Sequence, residues 1–271
     1  MGEAVRLVID LLQRVNMESR AEEPEITGED LLTYYNALLT SFGNRGWWPA
    51  DGWFETIVGA ILTQNVSWTG ASQAVQALKD AGLLDPNQIL TTSKEIIAPL
   101  IRSSRYYNQK AERLQVFARF FVVQYNSDRT LMDRHDTGTI RSLLLDLKGF
   151  GPETVDSILL YACEKPIFVV DAYTKRIGSR IGWFAADASY QQMQEFFTTR
   201  LKPDTALFND FHAQIVYLGN VVCKTRPLCS SCPLMKIDDR LRCRYNAPDN
   251  PKTRKTGNIQ SRNICRSSHG A

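Results

Sequence analysis

A chain of 271 residues has room for one large or two modest domains, because single cores stop growing near roughly 250–300 residues. Hydrophobic residues at 44% and charged residues at 23% are the balance of a soluble globular protein, which excludes a disordered chain and a membrane-embedded one. A net charge of +3 is too small to argue for a polyanionic partner by itself, but from Asn246 onward Lys252, Arg254, Lys255, Arg262 and Arg266 stand against Asp249 alone, so the tail carries +4 and the remainder about −1.

The opening residues, MGEAVRLVIDLLQRV, interrupt every apolar run with a charge, and no run nears the roughly 18 residues of a spanning helix. The expectation is a cytosolic protein without a membrane partner, monomeric, or a nuclear one in a eukaryote. Apolar residues then recur with helical period in Leu31-Leu32-Tyr35-Leu38-Leu39, Ile57-Ile61-Leu62, Ala111-Leu114-Val116-Phe117-Phe120 and Leu207-Phe208-Phe211-Ile215-Leu218. Breaks are expected at Gly43 to Gly52, Asp85-Pro86, Asn126 to Thr130, Gly149 to Pro152, Glu164 to Pro166 and Lys202-Pro203. Ile167 to Val170 is the best strand candidate, but it is short and runs into a helical pattern, so the predicted class is all-α.

The segment Arg45 to Phe54, overlapping the first of these breaks, holds Trp47, Trp48, Trp53 and Phe54 in eight residues. Aromatic side chains in a loop are costly unless they pack against something or bind something. Further on, LLLDLKGFGPETVDSILLYAC is two apolar-periodic segments joined by a tight turn at Leu147-Lys148-Gly149-Phe150-Gly151. Gly149 and Gly151 permit positive φ and leave backbone N–H groups uncovered, and Pro152 suits the first position of the next helix. Such a turn is either an ordinary helix connection or an anion site fit for a DNA phosphate. The apolar run Pro166 to Val170 then delivers Asp171 to the start of another helix, where a carboxylate is favoured as a plain cap and stays ionised even when partly buried.

Of six cysteines, Cys223, Cys229, Cys232 and Cys243 fall within 21 residues with the spacing C-x5-C-x2-C-x10-C, crowding that favours metal over disulfides in a cytosolic chain. Four thiolates hold a [4Fe-4S] cluster or tetrahedral zinc, and spacing separates the two poorly. Cys163, on a helix after the turn, reads as a small buried hydrophobe.

The pair L-K-G-F-G-P-E-T and V-V-D-A-Y-T-K-R-I, the upstream F-E-T-I-V-G-A-I-L-T-Q-N and the cysteine group together resemble the helix-hairpin-helix DNA glycosylases of the endonuclease III superfamily over about residues 30–243. The resemblance implies a two-domain helical fold with a DNA cleft between: N-terminal helices 1–53 packing with the cluster domain, a six-helix barrel with the hairpin at 54–165, the aspartate helix and iron-sulfur domain at 166–245, and a basic disordered tail at 246–271. It makes Asp171 the catalytic carboxylate, stabilising positive charge on the sugar as the N-glycosidic bond breaks, or orienting water. Lys148, Gly149, Gly151, Gln64 and Asn65 become DNA contacts, the last two where the family fills the gap left by the flipped nucleotide. Bifunctional members carry a lysine two residues after the second hairpin glycine; here that residue is Glu153, which forms no imine, so strand nicking is not expected. Glu153 either serves in the pocket or simply caps its helix. The Trp-Trp-Pro run resembles the 3-methyladenine glycosylases of the superfamily and makes Trp47, Trp48 and Phe54 the base pocket, with an N-alkylated purine as the expected base. Those tryptophans could equally pack the N-terminal segment on the barrel. Mismatched thymine or uracil and oxidised pyrimidines are the alternative substrates, and a non-enzymatic DNA-structure-binding protein is the alternative function. The resemblance favours iron-sulfur over zinc, although the family pattern C-x6-C-x2-C-x5-C differs at both outer gaps; Cys243 is the best fourth ligand and Cys265 the weaker one.

Overall fold

The computed structural model describes residues 25–243 and 245. The expected disordered tail and Cys265 lie outside the described residues, as do the first 24 positions. Among the described residues every regular element is helical, as the periodicity predicts, and no helix is long and apolar enough to cross a membrane.

Helix α1 (Gly28–Phe42) is followed by α2 (Trp53–Leu62), α3 (Trp68–Asp80), α4 (Pro86–Thr91), α5 (Lys94–Leu100), α6 (Tyr107–Tyr125), α7 (Arg129–Asp133), α8 (Thr137–Leu145) and α9 (Pro152–Ser157), the last continuing as a π-helical turn, Ile158–Ala162. Then come α10 (Ala172–Ile181), α11 (Tyr190–Thr198) and α12 (Thr205–Val221). Most begin where the sequence places an oxygen-bearing side chain: Ser67, Asp85, Asp136, Ser189 and Asp204 each accept a hydrogen bond from a first-turn N–H. The breaks fall where expected, with Gly43 ending α1 at φ 69° and Asn126 and Ser127 leaving α6 through the left-handed region.

Two aromatic cores sit on either side of a cleft. One lies among α2 to α9, where Phe117 meets Phe54, Phe121 and Phe150. The other lies among α1, α10, α11 and α12, where Phe168 stacks on Phe197 at 3.9 Å and Trp183 packs edge-on against Tyr34 at 5.1 Å. Ile167 to Val170 is buried and forms no strand among the described residues. Its backbone is held instead by Gln194, which donates to the Phe168 carbonyl at 2.8 Å.

A buried carboxylate joins the two sides. Asp156 on α9 is fully buried and accepts from Arg141 Nε at 2.7 Å, Arg141 Nη2 at 3.1 Å, Tyr190 at 2.7 Å and Gln194 at 2.7 Å. The hairpin and the segment leading to Asp171 are therefore fixed to each other through α11.

Candidate active site

The hairpin turn is anchored from inside. Phe150 is buried, packs on Phe117 and donates its N–H to the Leu147 carbonyl at 3.1 Å. The two glycines differ: Gly149 is left-handed at φ 88°, whereas Gly151 is extended at φ −99° and caps α9, so the positive φ expected at both is used only at the first. A Cβ at Gly149 would stand 2.8 Å from Arg113 Nε, so the turn also needs glycine to let that guanidinium approach. Arg113 donates in turn to the Gln64 side chain, whose amide donates to Thr154 Oγ1. Gln64 is thus tied to α9 and α6, while the neighbouring Asn65 is exposed at φ 53°. Lys148 extends into solvent and pairs with Glu112 at 3.1 Å.

Beside this turn opens a cleft of about 410 Å³ between the two aromatic cores. Trp47, Trp48 and Trp68 form one wall; Asp171, Tyr173 and His212 belong to the other, and Glu153 lies at the edge shared with the hairpin. The three indoles contact one another at centroid distances of 5.0 to 5.1 Å, and Tyr161 continues the group at 5.2 Å from Trp48. Trp48 also packs 3.0 Å from where a Cβ would sit on Gly59 of α2, as the packing role weighed for the tryptophans requires. Helix α12 holds the tryptophan loop in place: Gln214 donates to the Gly43 carbonyl at 2.8 Å, the Arg45 N–H donates to Asp210 at 3.2 Å, and the Arg45 guanidinium lies 3.9 Å above the Tyr217 ring. Phe54 does not join this wall. It faces the opposite side of α2 and is buried against Phe117 and Trp53, where the helical period directs it.

Asp171 divides its two oxygens between two tasks. Oδ1 accepts from the Thr174 N–H at 2.7 Å and from Thr174 Oγ1 at 2.9 Å, capping α10; Oδ2 lies 3.8 Å from His212 Nε2. Glu153 is exposed to solvent, yet the protein crowded around its carboxyl first, and the Asp171 carboxylate second, push that carboxyl up to about 7. Burial lowers the His212 imidazole against the opposing pull of Asp171, and burial raises the Tyr161 phenol well above its ordinary range.

The cysteine segment is held by the far end of α10. Arg176 donates to the Cys223 and Gly219 carbonyls at 2.9 Å each, and Arg180 donates to the Lys224 and Thr225 carbonyls and lies 3.2 Å from Cys223 Sγ. On the other side, Tyr34 of α1 donates to the Leu241 carbonyl at 2.7 Å, and Asp30 pairs with Arg240. Burial raises the Cys229, Cys232 and Cys243 thiols, with neighbouring cysteines adding to the effect on each. Among the described residues no three His, Cys, Asp or Glu side chains are gathered around a metal position. Cys163 is buried, as a small hydrophobe would be.

Trp68, Tyr161, Arg113 and His212 were not among the expected site residues. Trp68 had a signal in its place directly after the Gln64-Asn65 loop. His212 had none, since Leu207, Phe208, Phe211 and Ile215 around it read as one core-facing stripe.

An all-helical protein with a glycine hairpin, a capping aspartate and an indole-lined cleft between two cores is of the helix-hairpin-helix class. The chain belongs to the HhH-GPD superfamily of base excision DNA repair proteins, a DNA glycosylase superfamily, whose family pattern it matches over residues 58–203. It is 40% identical over 210 residues to a protein of Methanocaldococcus jannaschii named as a DNA repair glycosylase, covering 77% of this chain and 96% of that one. It is 28% identical over 181 residues to endonuclease III of Sulfolobus acidocaldarius, covering 66% and 78%. Among solved structures it is similar to the 3-methyladenine DNA glycosylase of H. pylori bound to 1,N6-ethenoadenine, at TM-score 0.61 and 27% identity over 70% of this chain and 95% of that one. An endonuclease III–DNA complex shares the fold at TM-score 0.69 and 20% identity, covering 85% and 99%.

Proposed function

We propose that the protein is a monofunctional DNA N-glycosylase that flips out an N-alkylated purine such as 3-methyladenine and releases it by hydrolysis. The observation that carries the reading is that three mutually packed indoles and the Asp171 carboxylate face one cleft. Indole faces attract a cationic ring more than a neutral one, by about 0.5–2 kcal/mol for each well-placed contact, and an alkylated purine carries that charge. It is also a good leaving group, so a site that supplies a carboxylate and water has enough chemistry for it. The likeness to a glycosylase bound to a modified adenine points the same way.

Asp171 stabilises the positive charge that builds on the sugar as the base departs with the bonding electrons. Glu153, at the position of the lyase lysine, offers a second carboxylate and no amine. Gly149, Gly151 and Lys148 bind the phosphates of duplex DNA, Arg113 supports the turn, and Asn65, more than the tethered Gln64, enters the gap in the duplex. Cys223, Cys229, Cys232 and Cys243 hold a [4Fe-4S] cluster that clamps the loop and takes no part in the reaction; a brown protein with bound iron and no zinc is the expected preparation.

Duplex oligonucleotides carrying 3-methyladenine, uracil or thymine opposite guanine, or an oxidised pyrimidine test the reading with and without alkali. Strand breaks only after alkali, and from the alkylated duplex, are expected. Breaks without alkali that borohydride traps would refute the monofunctional assignment; release of another base would refute the substrate; DNA binding with no release at all would leave a structural binding module.

A further inference from the structure

His212 is a buried imidazole with an unusual set of neighbours. It lies on α12, only 5% exposed, and the Tyr161 hydroxyl is hydrogen-bonded to its Nδ1. Its other nitrogen, Nε2, is buried and has no hydrogen-bond partner among the described residues, on a side chain that lines the cleft. The polar group facing it is Asp171 Oδ2, at 3.8 Å, too far for a direct hydrogen bond. A buried N–H or ring nitrogen without a partner costs about 1–3 kcal/mol, so one left beside the reacting carboxylate points to something that occupies the gap.

The tautomer follows from the neighbours. A neutral imidazole carries one N–H, and the Tyr161 hydroxyl can either donate to Nδ1 or accept from it. Were Nδ1 the protonated nitrogen, the Nε2 lone pair and the Asp171 carboxylate would be two acceptors set 3.8 Å apart, an opposition that an N–H on Nε2 removes. With Tyr161 donating to Nδ1, the N–H is on Nε2, the nitrogen that lies 3.8 Å from Oδ2. Tyr161 thus sets the proton on the nitrogen that faces the cleft.

We propose that His212 Nε2–H and Asp171 Oδ2 together hold the water that attacks the sugar, with Tyr161 as the positioning residue that keeps the His212 proton on Nε2. The proposal rests on the hydrolytic reading above. A water making bonds of about 2.8 Å to each group bridges the gap, accepting from the N–H and donating to the carboxylate. Its remaining lone pair is then free to face the cleft where the flipped nucleotide enters. As the C1′–N bond breaks and the base leaves with its electron pair, the water oxygen forms the new bond to C1′ and its proton passes to Asp171 Oδ2. The alkylated base departs neutral, and one water is consumed. An N–H donor is the group suited to this place, since it fixes the oxygen without competing for the proton that Asp171 must take.

Two measurements test this. Nitrogen-15 spectra of the wild-type protein, which has three histidines, read the tautomer directly. The Nε2–H form is expected for His212, and the Nδ1–H form would overturn the proposal whatever the activity. Single-turnover excision then compares His212→Gln, which keeps an N–H donor near the Nε2 position, with His212→Leu, which fills the space without one. The leucine variant is expected to excise about 100-fold more slowly and the glutamine variant to recover most of that loss, while affinity for DNA with a stable abasic analogue changes less than about threefold in either. Tyr161→Phe tests the relay through the same spectrum, and a shift of His212 toward the Nδ1–H form is expected. A wild-type protein that releases no base overturns the hydrolytic reading and the catalytic role with it. A wild type that works while the leucine variant keeps more than about a third of its rate overturns the role of His212 alone.

Discussion

Removing the Asp156 carboxylate should loosen the whole site from a position that touches no substrate. Its oxygens accept four hydrogen bonds, from Arg141, Tyr190 and Gln194, and the side chain has no solvent exposure. Asp156→Ala leaves a guanidinium, a phenol and an amide facing a cavity. Stripping one partner from a buried pair costs about 3–5 kcal/mol, and because the Arg141 side chain keeps 28% of its exposure and can turn toward water, the lower end applies. In a domain of this size about 3 kcal/mol lowers the melting temperature by about 6–12 °C. Urea unfolding at constant m-value measures the same loss independently. Excision should fall as well, because Gln194 also holds the Phe168 carbonyl on the segment that ends in Asp171. A loss below about 1 kcal/mol, the value of a solvated surface pair, would refute the view that Asp156 is the joint between hairpin and catalytic helix.

With Glu153 titrating at about 7 beside Asp171, its ionised form adds negative charge next to a cationic sugar, so excision should rise with pH through neutrality, and Glu153→Gln should flatten that profile; a flat wild-type profile would remove Glu153 from the site. Because that carboxyl is raised in the fold, the stability it permits is present below its ordinary pKa of 4.5 and lost as pH climbs through about 7, so Glu153→Gln should melt higher than wild type at pH 8 and equal to it at low pH. Trp68→Ala removes one of three packed indoles and should weaken binding of an alkylated base by about 0.5–2 kcal/mol while sparing undamaged DNA; equal losses on both would mean that Trp68 packs the loop and does not select the base. Gly149→Ala forces a side chain into φ 88° and against Arg113, costing about 1–2 kcal/mol in the turn proposed to bind DNA, and titration of plain duplex by anisotropy should register weaker affinity.

Much of this was legible in the chain. Helical periodicity located α1, α2, α6 and α12, and the Asp85-Pro86 break marked the start of α4, because both signals are local. The hairpin and Asp171 were legible for the same reason, each being a short stretch whose residues must be contiguous. Phe54 misled because a loop and the helix after it share one run of aromatics, and only the turn of α2 decides which way a ring points. His212 was hidden because a core-facing stripe and a cleft-facing residue have the same period on a helix whose two ends serve different tasks. Tyr161 was hidden by the π-helical turn after α9, which shifts the faces of Ile158–Ala162 relative to an α-helical reading.

Helix α10 explains why the cysteine segment belongs to the active site without entering it. Ten residues make a rod of about 15 Å, with Asp171 capping its first turn and Arg176 and Arg180 gripping the cysteine segment from its last two. The Asp171 carboxylate is fixed by the helix it caps, and the helix is fixed by what its arginines hold. Gly219 extends the argument: its missing side chain lets Tyr173 approach to 2.4 Å of the place where a Cβ would be, locking α10 against α12. Since α12 also carries His212 and anchors the tryptophan loop, the Asp171–His212 pair and the indole wall are set by one helix packing. Disturbance at Cys223 should therefore reach the 3.8 Å gap between Asp171 and His212 through two rigid elements, with no flexible loop between.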